Sequence, residues 1–219
     1  MRAAIRVLVV DDHPAVRAGL TAMLADEPGI EPVGEAESAS DAHEAWVASA
    51  KRPDVVLVDY HLPDEDGLSL CLSLKTADEP PAVVIYSASA DEELALPAVV
   101  AGADGLVGKS SDPAELSDVV RAVAEGERRL PPVSPQSAAT LGGRLDPQDL
   151  PILGMLRHGV PADEIAATLG VAGGDLVIRR WAMLELLTAA PERIEGRRFG
   201  GGVQEMRTAS SPSAITSPR

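Results

Sequence analysis

Cysteine occurs once in the 219 residues, at Cys71, which excludes an internal disulfide framework and fits a reducing cytosol. Set in Leu68-Ser69-Leu70-Cys71-Leu72, it is expected to fill apolar volume rather than to react. No apolar run approaches the roughly 20 residues that a membrane helix requires. The start, Met1-Arg2-Ala3-Ala4-Ile5-Arg6, leads into a strand-like run instead of a secretory leader, so the expected location is cytoplasmic, with no membrane partner. Basic residues are scarce: 19 Lys and Arg stand against 34 Asp and Glu, a formal net charge of −15. The deficit is lopsided, because residues 1–130 hold 25 acidic and 10 basic residues, while residues 131–219 hold 9 of each. An acidic first half repels phosphate backbones, which argues against nucleic-acid contact there, and its charge is taken as solvated outer helix faces.

Against those absences stand 45% hydrophobic residues, enough for true cores, in a chain with room for two small domains. Four runs, Ile5–Val10, Asp54–Asp59, Ala82–Tyr86 and Gly105–Gly108, are apolar without alternation, the pattern of strands buried on both faces of a parallel sheet. Between or after them, helical spacing covers Pro14–Ala25, Asp41–Ser49, Leu68–Lys75, Leu94–Ala101 and Pro113–Glu125, which predicts parallel βαβ units. Pro14 and Pro113 suit a first helical turn, where no amide donor is needed. Pro97 falls early enough in its helix to be tolerated.

The strand ends carry the chemistry. Asp11 and Asp12 end the first run and Asp59 the second, and ligands of open α/β sheets bind at the carboxyl ends of strands. Three carboxylates at one edge repel unless a cation or proton neutralises them, and oxygen donors suit a hard ion such as Mg²⁺. A metal beside a carboxylate points to phosphoryl chemistry. Ser87 ends a further run, offering a hydroxyl to a phosphoryl oxygen, and Lys109 follows the last run with an ammonium for the same group. Singly, a strand-terminal Asp is a turn former and a lone Lys a solvated charge; the joint placement discriminates.

Taken together, the pair Asp11-Asp12, Asp59 within Val-Asp-Tyr-His-Leu-Pro-Asp-Glu-Asp-Gly, Ser87 at a strand end and Lys109 after Gly-Ala-Asp-Gly-Leu-Val-Gly resemble the receiver domain of bacterial response regulators, over roughly residues 4–127. The resemblance implies a (βα)5 flavodoxin-like fold with a parallel five-stranded sheet, in which Asp59 takes a phosphoryl group from a sensor histidine kinase. It implies further that Asp12, Asp59 and the backbone carbonyl of His61 hold Mg²⁺, with Asp11 acting partly through water, and that Lys109 and Ser87 contact the phosphoryl oxygens. Such a protein is not an enzyme beyond catalysing its own phosphorylation and dephosphorylation. One departure concerns the switch: Leu106 stands where receivers carry an aromatic residue three positions before the lysine, and it is taken as core, with Tyr86 as an aromatic from another direction.

The receiver is expected over residues 1–127, followed by a linker over 128–142, where Arg128-Arg129-Leu130-Pro131-Pro132-Val133-Ser134-Pro135 resists helix formation. A small all-α domain over 143–190 then holds three short helices. The first starts at Asp146-Pro147 with Asp146 as N-cap, the second spans Pro161–Gly170, and the third runs from Asp175 to Leu187. That order resembles the LuxR-type helix-turn-helix of NarL/FixJ response regulators, which implies a homodimeric DNA-binding transcription regulator acting at promoters. It departs from the pattern at Asp163, Gly173-Gly174-Asp175 and Val177. Residues 145–190 hold only Arg157, Arg179 and Arg180 against six acids, a poor balance for phosphate contact. Arg179 and Arg180 are the candidate DNA contacts, although arginines beside Trp181 also serve to cover its ring or pair with Glu185. The segment 191–219 is expected to be a disordered tail, with Arg193, Arg197 and Arg198 as a candidate basic arm. The alternative to DNA is a phospho-switch whose output domain binds a protein partner. A metal-dependent phosphatase with Asp59 as nucleophile is the poorer idea, because residue 61 is His and Asp59 does not open an Asp-x-Asp motif.

Overall fold

Strand-length apolar runs separated by helix-length segments fold here as five successive β–α units. The computed structural model describes residues 3–48 and 52–189. In chain order these units are β1 (Ile5–Val10), α1 (Pro14–Ala25), β2 (Ile30–Ala36), α2 (Ala39–Ala48), β3 (Val55–Asp59), α3 (Gly67–Leu74), β4 (Ala82–Ser87), α4 (Glu92–Ala101), β5 (Gly105–Gly108) and α5 (Pro113–Ala124). The strands form one parallel sheet in the order β2-β1-β3-β4-β5. Alternate residues of a strand serve opposite faces. Val7, Val9, Val55 and Leu57 meet Leu20 and Leu24 of α1 and Leu116 and Val120 of α5, whereas Leu8, Val10, Val56 and Val58 join a second core with Leu68, Leu72 and Leu96. Burial on both faces is why these strands carry no polar alternation.

β2 has no such run, because it is an edge. Glu31, Pro32 and Glu35 interrupt it, and its register with β1 slips between Val7 and Leu8. A strand paired on one side only, with an irregular register, accommodates a residue that cannot donate to the ladder. At the opposite edge, Arg129 caps β5: its amide donates to Asp104 O at 2.6 Å and its carbonyl accepts from Leu106 N at 3.0 Å. Leu106 itself is buried in the core and Cys71 is buried with its thiol pushed up to about 12 by loss of solvent.

Past the sheet lie α6 (Pro135–Gly142), α7 (Leu150–Arg157), α8 (Ala162–Leu169) and α9 (Gly173–Thr188). Two expectations are corrected. Half of the 128–142 linker is helix: Pro135 occupies the first turn, where its missing amide costs nothing, and Ser134 caps it by accepting from Ser137 N at 3.1 Å. The helix expected from Asp146 begins at Leu150 instead, since Pro151 has no amide to bond a carbonyl four residues earlier; Asp146 closes a turn, accepting from Gln148 N at 2.8 Å. Pro97 is accommodated inside α4.

Residues up to Thr188 cluster as one compact unit, in which α9 packs on α3 and α4. The core around Leu68, Leu72 and Leu96 runs on without a break into Ile152, Ile165, Leu176, Met183 and Leu187. This continuity explains a helix as apolar as α4, whose residues from Ala95 to Ala101 are all buried. The readings made on Ser49 and on the tail, with Arg193, Arg197 and Arg198, lie outside the described residues.

At the amino edge of the sheet, Arg6 forks onto Asp54, with Nε–Oδ2 at 3.0 Å and a terminal nitrogen 2.6 Å from Oδ1. The guanidinium hydrogen bond holds the Asp54 carboxyl below its ordinary value, overcoming the opposing effect of burial. A carboxyl lowered in the folded state contributes stability above its unfolded pKa of about 3.9, and that contribution disappears as the pH falls through the lower folded value. Asp54→Asn is therefore expected to melt below wild type at neutral pH, with the gap closing below about pH 4; thermal melts at both values check it.

Candidate functional site

Sheet order brings the chemistry together. The strand order turns back at β1 and β3, so their carboxyl ends adjoin and leave a crevice there. Register aligns the rest: Val10 pairs with Val58, so that Asp11 and Asp59 emerge side by side, Asp59 pairs with Tyr86, and Ser87 pairs with Gly108 just ahead of Lys109.

Asp11 and Asp59 are both buried. Lys109 Nζ bridges them, 2.9 Å from Asp11 Oδ2 and 2.8 Å from Asp59 Oδ2. Burial alone would lower the ammonium pKa, yet the hydrogen bonds and attraction of Asp59 and Asp11 outweigh it and the value is raised. The lysine therefore stays cationic. Asp11 Oδ1 accepts from His13 N at 2.8 Å, and Arg17 donates to the Asp11 carbonyl at 2.6 Å, which fixes the turn after β1. Asp12 Oδ1 is shielded from solvent, and its close polar neighbour is His13 Nδ1 at 2.5 Å.

Potential ligand atoms from Asp11, Asp12, His13 and Asp59 all lie within 4.8 Å of one another. Three carboxylates face one ammonium, so the local balance is negative and favours a cation. A donor set dominated by carboxylate oxygens, one of them shielded from solvent, fits a hard divalent ion. His13 is the member that sequence reasoning missed; its adjacency to Asp11-Asp12 was the only available signal. Ser87 is buried at the end of β4, where its Oγ accepts from Ser89 N at 3.2 Å. Tyr86 lies beside the lysine, its ring centre 5.6 Å from Nζ and its hydroxyl donating to Lys109 O at 3.4 Å.

The loop after Asp59 is closed at its base, where Gly67 N donates to Tyr60 O at 2.8 Å and His61 bridges to Asp66. A Cβ on Gly67 would stand 2.2 Å from Asp59 O, so only glycine permits this approach of α3 to the strand end.

The two arginines expected at DNA are both engaged inside the fold. Arg179 Nε donates to Asp149 Oδ1 at 2.7 Å, and a terminal nitrogen donates to Gln148 O at 2.7 Å. Arg180 is 4% exposed, and its Nε donates at 2.9 Å to Val100 O, at the end of α4. Burial, with a weaker push from Arg128, lowers its pKa. The outer face of α9 instead exposes Asp175, Ile178, Trp181 and Glu185. No helix among the described residues is long and apolar enough to cross a membrane.

Residues 7–121 match the family model of the response regulator receiver domain. The chain is 34% identical to the DNA-binding transcriptional activator DevR/DosR of Mycobacterium tuberculosis, over 77% of this chain and 81% of that protein. It is 29% identical to the nitrate/nitrite response regulator NarL of Escherichia coli, over 82% and 87%. Among solved structures, a two-component response regulator of the LuxR family from Aurantimonas superposes with a TM-score of 0.56 at 34% identity, covering 63% of this chain and 97% of that one.

Proposed function

The chain belongs to the response regulator receiver family and is a two-component response regulator of the NarL kind, and from that premise we propose that Asp59 is its phosphoacceptor and that phosphorylation governs promoter binding by the carboxyl-terminal helices. The observation that carries the reading is Lys109 Nζ bridging the buried carboxylates of Asp11 and Asp59.

In the proposed step, an Asp59 carboxylate oxygen attacks the phosphorus of a phosphohistidine on the sensor kinase. The new O–P bond forms as the N–P bond breaks, and the imidazole leaves with the electron pair and takes up a proton. The transition state is loose, with charge spread over the equatorial oxygens, so positioned positive charge supplies most of the catalysis. Lys109 is held in place for that task and Ser87 offers a hydroxyl to the same oxygens. Asp12, Asp59 and the His61 carbonyl, with Asp11 behind them, would hold Mg²⁺, which supplies charge neutralisation when bound. The product is an acyl phosphate, and its hydrolysis at the same site makes the mark reversible. The protein works in the cytoplasm as a homodimer when phosphorylated.

DNA contact by Arg180 requires α9 to leave α4, because that guanidinium is otherwise spent on the Val100 carbonyl, while contact by Arg179 requires it to exchange Asp149 and the Gln148 carbonyl for phosphate. Phosphorylation then acts by weakening that packing. In an electrophoretic or anisotropy assay on the promoter of its own operon, binding is expected only with a phosphodonor and Mg²⁺, to fall steeply as salt rises, and to weaken in Arg179→Ala. Absence of salt-sensitive, sequence-selective binding under those conditions would favour a protein partner instead, the reading for which exposed Ile178 and Trp181 speak.

A further inference from the structure

Helix α2 begins with amides that its own sequence satisfies only in part. Ser38 Oγ accepts from Asp41 N at 3.0 Å, which leaves the amides of Ala39 and Ser40 open. Both are taken from 24 and 25 residues away by Asp64: Oδ1 accepts from Ala39 N at 3.0 Å and Oδ2 from Ser40 N at 2.9 Å. Glu65 N adds a third bond to Oδ1 at 3.1 Å. Although desolvation works against it, these backbone donors hold the Asp64 carboxyl below its ordinary value. An anion at the positive end of α2 is also favoured by the helix dipole.

Asp64 is at the tip of the loop whose base Gly67 and the His61–Asp66 bridge close. Asp66 is committed to α3, accepting from Ser69 N at 2.8 Å. His61 is thus held at the base of the loop by its bridge to Asp66, and the tip beyond it is held by the α2 clamp, so the two fastenings together set the course of the backbone through His61. We propose that Asp64 is a positioning residue for the divalent-ion site: by clamping the loop tip to α2, it sets the His61 carbonyl at the height the ion needs. The inference rests on the reading of Asp12, Asp59 and His61 as the ion's ligands.

Calorimetric titration of the full, unphosphorylated chain with MgCl₂ alone tests it, alongside a thermal melt of each variant. Asp64→Ala is expected to weaken Mg²⁺ binding about tenfold, the usual effect of losing a group that orients a metal ligand. Asp64→Asn, which keeps one acceptor oxygen and loses the charge, should fall between. Ser134→Ala removes a helix cap of similar kind on α6, and it should lower the melting temperature comparably while leaving Mg²⁺ affinity unchanged. Asp64→Ala and Asp64→Asn both binding within about twofold of wild type would make Asp64 a helix cap and nothing more, since a metal-orienting partner gives larger effects. Wild type taking up no Mg²⁺ would overturn the metal site itself, a distinct result from wild type binding and the variants binding equally.

Discussion

Asp59→Asn should keep its unmodified mass after treatment with a small acyl-phosphate donor and Mg²⁺, while the wild-type chain gains one phosphoryl group. Asparagine matches the carboxylate in shape but lacks the anionic oxygen that attacks phosphorus. The neighbours offer poor substitutes. Asp11 is buried with one oxygen on His13 N and the other on Lys109, so neither is free to attack. Asp12, paired with the exposed His13 ring and partly exposed itself, is the more accessible neighbour, and a phosphoryl group appearing there in Asp59→Asn would displace Asp59 from its assigned role. Lys109→Ala should still be modified, but roughly 10²–10³-fold more slowly, as is typical when one preorganised charge is withdrawn from a transition state. Intact-mass spectrometry over time measures both variants, and a modified Asp59→Asn chain would end the assignment.

Asp11, Asp12, Asp59, Ser87 and Lys109 were visible in the sequence because each terminates or follows an apolar run. A strand buried on both faces advertises itself by composition, and the first polar residue after it must emerge at the sheet edge. β2 escaped for the converse reason: as an edge strand it tolerates Glu31, Pro32 and Glu35, which erase the signal. Prolines misled twice in the helical module, since Pro135 starts α6 rather than prolonging a linker, and Pro151 delays α7 past Asp146. Each proline's effect depends on whether its missing amide falls in the first turn or beyond it.

Arg180 was illegible in a deeper sense. Its partner is a backbone carbonyl 80 residues away, and no side chain in the sequence announces that pairing. The extreme apolarity of α4 was the available hint: a receiver helix with no polar face must be covered on its outer side as well. The structure supplies that cover with α9. Asp64 was hidden for the same reason as Arg180, because its partners are the amides of Ala39 and Ser40 and these carry no residue signature.

Gly67→Ala should be among the most damaging single-methyl additions in the chain. The conformation of Gly67 does not demand glycine through a positive φ; space does. A Cβ there would lie 2.2 Å from Asp59 O, 3.1 Å from Asp59 C and 3.1 Å from Tyr60 Cα. All three are backbone atoms at the end of a buried strand, so no flexible side chain can swing aside. Relief requires α3 to retreat or the strand end to bend. A retreat of α3 opens the core at Leu68 and Leu72, which are fully buried, and overpacking of this kind costs about 3 kcal/mol. For a chain of this size that lowers the melting temperature by roughly 6–12 °C. Bending the strand end instead moves the Asp59 carboxylate away from Lys109, and a shift near 1 Å costs on the order of 10²-fold in rate. Either relief also disturbs the Gly67 N–Tyr60 O bond that closes the metal-side loop. Gly154→Ala is the matched control, because a Cβ there meets nothing within 4 Å on α7, and it should be neutral or stabilising. Melting and phosphorylation time courses on both variants decide the matter: Gly67→Ala behaving like Gly154→Ala in both would mean that α3 and the strand end are not in the close contact on which the placement of Asp59 depends.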